Sequence, residues 1–318
     1  MERKILKGLK VEMYEHTWDI KAKKFIKGIS VFETAVKKYN ESLADKFTVM
    51  EHKASYLEIK YRQYPRIYDI FTDCCRILDI EIPPLFLIRS AEINAYTIGI
   101  STPLVCLTSG CIQFLTEDEL RFIIGHELGH IKSEHLLYSS IARWLEKGGE
   151  KVFIGAGGIL GLGSYVALEA AFYKWHRMSE YTADRAGLLC VQDINVAVSA
   201  LAKLAGFISG TDDVFNTSEF IQQAKAFNKE YKDGFNKWLN NSKLLLGSVT
   251  HPYTVSRVGE ISEWYDNGDY DLIVYGEKRP KLTSSEVIEK TNLKKCKKCG
   301  CENIPINIYV CPQCNELL

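Results

Sequence analysis

The sequence predicts an α+β fold, mainly α-helical, with a small sheet at one edge and a separate cysteine-rich module at its end. Three observations carry this prediction. Long stretches such as RIYDIFTDCCRILDI and ELRFIIGHELGHIKSEH repeat apolar residues at helical spacing. Three short runs of β type, LFLIRS, INAYTIG and PLVCLTSG, succeed one another between Pro83-Pro84 and Gly110. Five of the ten cysteines crowd into residues 296–314.

Taken in order, residues 1–45 are charged, with single apolar residues interleaved. Phe25, Ile29, Phe32, Ala35 and Val36 fall on one stripe, which predicts a surface helix over 20–43. Residues 50–61 show no clear period. A helix starts near Tyr64-Pro65, and Pro83-Pro84 closes the segment after it. Three strands come next, with Gly99-Ile100-Ser101-Thr102 as a turn between the last two. Thr116-Glu117-Asp118-Glu119 is a helix start, with a Thr N-cap, a glutamate three residues on and acids in the first turn. Further helices are expected over 170–191, 195–206 and within 210–245, and Thr250-His251-Pro252 opens another element. Residues 266–292 contain Gly268, Gly276 and Pro280 and read as a boundary. The expected organisation is a helical segment 1–45, a main domain 46–275 and a module 290–318.

Composition narrows the function. Apolar residues make up 46% and charged residues 25%, the balance of an ordinary soluble globular protein. Lys+Arg and Asp+Glu are both 40, so no net field draws the chain to nucleic acid or anionic lipid. The opening MERKILKGLKVEMYEH has no apolar core of the secretory type. Scattered thiols at Cys74, Cys75, Cys106, Cys111 and Cys190 suit a reducing compartment, so the expected location is cytoplasmic.

The chemistry concentrates in His126-Glu127-Leu128-Gly129-His130. Residues four apart on a helix project over the same patch, one turn apart, so both imidazoles can reach one Zn²⁺. Glu127 lies beside them, close enough to act as general base without being a ligand. A hydrolytic zinc needs a third protein ligand and an open position. Ser179-Glu180-Tyr181-Thr182-Ala183-Asp184 offers carboxylates at i and i+4. Glu180 is the candidate ligand, and Asp184 the acceptor for the second ring N–H of a ligand histidine.

HELGH, EYTAD and THPYTVSRVGEI, in that order, resemble the motifs of the zinc metallopeptidases (gluzincins) that include the CAAX prenyl proteases and the heat-shock protease HtpX. The likeness spans roughly residues 50–265. It implies that His126, His130 and Glu180 hold the catalytic zinc, with Glu127 as general base and Asp184 as their supporting aspartate. It also gives His251 a place near the zinc, where it can stabilise an oxyanion, and Arg257 a supporting role. The local reading of His251 is a turn residue before Pro252. Asn94, Ala95 and Tyr96 match the family's segment along the cleft, where an extended substrate can add as a strand; a core strand is the equal alternative.

Residues 152–168 carry no charge across seventeen positions and include Gly155, Gly157, Gly158, Gly161 and Gly163. A single membrane span would part His126 and His130 from Glu180, so the run is not expected to cross a bilayer. Each glycine costs an exposed helix about 1 kcal/mol. The run is therefore read as a buried or interfacial segment rather than a regular solvent-facing helix, leaving a peripheral membrane contact open.

Cys296-Lys-Lys-Cys299 and Cys311-Pro-Gln-Cys314 stand eleven residues apart. Two such knuckles suit a four-thiolate structural zinc in a small ribbon. Lys290, Lys294, Lys295, Lys297 and Lys298 make the tail basic, but little aromatic interleaving accompanies them, so a protein partner is favoured over nucleic acid. The expected function is a zinc endopeptidase in protein quality control or processing, acting on peptide or protein substrates and holding one catalytic and one structural zinc. The alternative is a zinc-binding, chaperone-like scaffold of low or regulated protease activity, its partners docked by the ribbon.

Overall fold

In the computed structural model, described residues are 3–29, 32–41, 43–145, 150–208, 215–241, 253–278, 293–294, 296–300, 304–305 and 314, with 150–167 and 231–241 as helical backbone. They fall into two units, Met1–Gly276 and Glu277–Leu318. The N-terminal residues belong to the first.

The first unit opens with helices α1 (Thr17–Lys27), α2 (Phe32–Glu41) and α3 (Ala44–Ser55). The stripe predicted over 20–43 is thus divided, because α1 ends at Gly28, whose N–H reaches carbonyls of the last turn. Phe25 points outward, and α1 buries Asp19, Ala22 and Ile26 instead. Strand β1 (Leu57–Ile59) and helix α4 (Pro65–Leu78) come next, the latter with its proline in the first turn, where a missing N–H costs nothing.

Strands β2 (Leu85–Ile88), β3 (Ala95–Ile98) and β4 (Leu104–Thr108) occupy the three predicted runs. The sheet order is β1-β2-β4-β3; β2 and β4 run parallel, and the other pairs are antiparallel. Alternation decides the two faces. Leu85, Val105 and Leu107 join the main core, while Phe86, Ile98, Leu104 and Cys106 pack against Val49 of α3. Among the described residues β3 is an edge strand, paired with β4 alone.

After α5 (Ser109–Phe114) comes α6 (Glu117–Lys132), the helix of the HELGH motif. Its capping box forms as predicted: Thr116 N donates to Glu119 Oε2 at 2.7 Å, and Glu119 N donates to Thr116 Oγ1 at 3.2 Å. The helix stops at Lys132 rather than running on to His135, since Glu134 takes a left-handed φ of 57°. His135 therefore starts a new helix, α7 (His135–Trp144).

Helix α8 runs without interruption over Glu150–Val191. The helix expected over 170–191 thus begins at Glu150. Glycine propensity is a weak term, and extending a helix already anchored by the buried stretch 168–191 requires no new nucleation. Among the described residues, no helix is long and apolar enough to cross a membrane.

Helices α6 and α8 touch backbone to backbone. A Cβ on Gly129 would fall 2.6 Å from Ala186 Cβ, and one on Gly125 would fall 2.6 Å from Cys190 Cβ. From the other side, a Cβ on Gly187 would meet the Phe122 carbonyl at 2.8 Å. Glycine at these positions lets the two motif-bearing helices approach closely.

Helices α9 (Ile194–Leu204), α10 (Thr217–Asn241), α11 (Thr254–Asp266) and α12 (Asp269–Tyr275) complete the unit. In the second unit β5 (Leu293–Lys294) pairs antiparallel with β6 (Ile304–Pro305).

Candidate active site

His126 and His130 project from α6 toward α8, which presents Glu180. The two Nε2 atoms stand 3.2 Å apart, His126 Nε2 is 3.5 Å from Glu180 Oε2, and His130 Nε2 is 3.3 Å from Glu180 Oε1. A tetrahedral zinc with arms of about 2.0–2.1 Å has edges of about 3.3–3.4 Å. The donor triangle therefore has the dimensions of one face of a zinc tetrahedron, and two imidazoles with a carboxylate are the donor chemistry zinc takes.

The electrostatics also favour a cation there. Burial opposes protonation of His126, yet the Glu180 and Asp184 carboxylates outweigh it and raise its pKa to about 10. His126 Nδ1 lies 3.0 Å from Asp184 Oδ1, an acceptor that commits the ring proton to Nδ1 and frees Nε2 for a metal. Arg257 on α11 grips Asp184 with two donors, Nε to Oδ2 at 2.8 Å and Nη2 to Oδ1 at 2.6 Å. Burial alone would raise the Asp184 carboxyl, and the Arg257 guanidinium beside it reverses this and holds it below the ordinary range.

Glu127 lines the same cleft, a cavity of about 350 Å³. Asn94, Ala95 and Tyr96 border it as well, the last two on β3. Two supports escaped the sequence reading. Thr97 on β3 donates its hydroxyl proton to Glu127 Oε2 at 2.8 Å. His130 Nδ1 sits 2.8 Å from Nδ1 of His135, whose Nε2 is 2.9 Å from Asp19 Oδ2. The spacing HELGHIKSEH gave His135 no signal beyond its presence, and Asp19 lies more than a hundred residues away in sequence.

His251 and Cys311 lie outside the described residues. In the second unit, ligand atoms of Cys296, Cys299 and Cys314 fall within 4.8 Å of one another, and the Cys296 and Cys314 sulfurs are 3.6 Å apart. Tetrahedral zinc–sulfur arms of about 2.3 Å give edges of about 3.8 Å, so this spacing fits a thiolate site.

An HExxH helix crossed by a carboxylate-bearing helix, beside an edge strand, defines a metal-dependent hydrolase. The chain belongs to peptidase family M48, whose pattern matches residues 61–265. It is 29% identical over 274 residues to the plastoglobule-localized metallopeptidase 48, chloroplastic, of Arabidopsis thaliana, covering 85% of this chain and 77% of that protein. Similarity to a protease HtpX homologue of Burkholderia thailandensis is 24% over 250 residues, or 72% of this chain and 83% of the relative. A homologue from Sulfurihydrogenibium sp. is 38% identical over 87 residues, a stretch that spans 27% of this chain and 29% of that relative. No solved structure matches. The protein is therefore a metallopeptidase of the HtpX type.

Proposed function

We propose that the protein is a zinc-dependent endopeptidase that cleaves extended or unfolded polypeptide, with a role in protein quality control or processing. The observation that supports it most is the convergence of His126, His130 and Glu180 donors within 4.8 Å, in a cleft shared with Glu127 and edge strand β3. Zinc held by these three side chains would supply Lewis acidity, lowering the pKa of water toward about 7 and polarising a carbonyl. Glu127 takes the proton of the attacking water on its carboxylate and passes it to the leaving amine. Asp184 fixes the His126 tautomer, and Arg257 keeps Asp184 ionised and in place. The free edge of β3 pairs with substrate backbone through Asn94, Ala95 and Tyr96. His251 donates to the developing oxyanion, an assignment supported by the family resemblance alone. Cys296, Cys299, Cys311 and Cys314 hold a second, structural zinc and form a docking ribbon for a protein partner. Buried free thiols at Cys74, Cys75, Cys106, Cys111 and Cys190 support residence in a reducing cytoplasm.

Metal analysis coupled to casein cleavage tests this reading. Purified protein should carry two zinc ions, and mild chelation should remove one first, with loss of cleavage that zinc restores. A single ion in undepleted protein would remove one of the two assignments; cleavage that survives complete chelation would remove the mechanism.

Thr97→Val tests how the base is aimed. Valine keeps the shape and deletes the hydroxyl, so Glu127 loses a partner worth about 1.5–3 kcal/mol. Turnover should fall about tenfold or more, with KM and zinc content held. Equal losses in kcat and zinc content would show that Thr97 supports the fold of the site rather than the base.

A further inference from the structure

The cleft residues that bind zinc or act on the substrate lie within 61–265, yet the hydrogen-bond chain that starts at His130 ends outside that segment. His130 Nδ1 meets His135 Nδ1 at 2.8 Å, and His135 Nε2 meets Asp19 Oδ2 at 2.9 Å. Asp19 is fully buried in α1 and accepts further bonds from Trp175 Nε1 at 2.9 Å and Thr182 Oγ1 at 2.7 Å. Lys23 Nζ stands 3.6 Å from the same carboxylate.

We propose that Asp19 and His135 are positioning residues for the metal centre, so that the N-terminal helix is a working part of the active site. The inference rests on His130 being a zinc ligand. A carboxylate can only accept, so Asp19 draws the His135 proton to Nε2. His135 Nδ1 then carries a lone pair and can only accept, which draws the His130 proton to Nδ1. His130 Nε2 is left with its lone pair turned toward His126 Nε2 and Glu180. Each tautomer along the chain is set by the one before it, beginning at Asp19.

The surroundings fit this reading better than a packing role for His135. Trp175 and Thr182 on α8 converge on the same carboxylate, so α1, α7 and α8 meet at one anion. His126 has its own carboxylate partner in Asp184 on the other side of the site. Both ligand imidazoles thereby end on a buried aspartate, one directly and one through a second imidazole.

The test is zinc affinity, measured on the full chain by competition with a chromophoric chelator, with the absorption spectrum of the cobalt-substituted protein as a second readout. Removing a group that orients a metal ligand typically lowers affinity about 10–100-fold. Asp19→Asn and His135→Phe should each weaken the cleft zinc by that factor and shift the cobalt bands. His135→Gln should recover most of the affinity, because its carbonyl can accept from His130 while its amide donates to Asp19. Wild-type affinity and an unchanged cobalt spectrum in folded His135→Phe, with only the melting temperature lowered, would overturn the proposal. Should that variant not fold, Asp19→Asn with wild-type affinity overturns it alone. Glu180→Ala in the same assay separates the two readings: if it keeps full affinity the ligand set is wrong, and if it loses zinc while the relay variants do not, only the relay fails.

Discussion

Glu127→Gln is expected to abolish turnover while leaving fold and metal in place. Glutamine has the same shape, so Thr97 can still donate to its side-chain oxygen. None of the three donors within 4.8 Å changes. An amide, however, cannot take up a proton at neutral pH, and general-base catalysis typically contributes about 10²–10⁴ in rate. Casein hydrolysis at saturating zinc should fall by that factor, about 3–5 kcal/mol of barrier, with two zinc ions still present per chain. A variant that keeps more than a third of wild-type kcat would show that Glu127 is not the base.

The second large effect is expected from Glu180→Ala. Its carboxylate is the only anionic donor of the triangle and balances Arg257, whose Nη1 lies 3.5 Å from Oε2. Removing it takes away the carboxylate proposed as the third ligand and leaves the Arg257 guanidinium with less opposing charge. The loss of zinc affinity should exceed the 10–100-fold typical of a supporting residue. Bound zinc should drop from two ions to one, the survivor held by thiolates, and cleavage should vanish with it. Retention of both ions and of activity would place the third ligand elsewhere.

Much of this site was legible because its chemistry is local. His126, Glu127 and His130 share one helix face, and Glu180 with Asp184 share another, so spacing alone sets each pair. The capping box at Thr116 and Glu119 was equally readable, since it closes within one turn. What spacing cannot carry is a contact between distant segments. Asp19 held one faint signal: it lies in register with Ala22 and Ile26 on the buried face of α1, where an unexplained acid is costly. The stripe drawn through Phe25 and Ile29 passed over it. Thr97 was hidden by its type, because threonine is an ordinary strand residue. The helix expected from 170 begins at Glu150 instead, because propagation from a formed helix needs no new nucleus and leaves no start signal at the old boundary.

The backbone contact between α6 and α8 also sets the register of the site's two halves independently of the length of chain between them. Gly125, Gly129 and Gly187 fix how far each helix can slide along the other, because any shift would drive a Cα or carbonyl into its neighbour. The register of Glu180 against His126 is therefore written where the helices cross, not in the length of the intervening polypeptide. Lengthening a connection costs little, about 0.6 kcal/mol for each doubling. A connection that gained or lost residues outside these contacts would thus leave the three donors at their spacing.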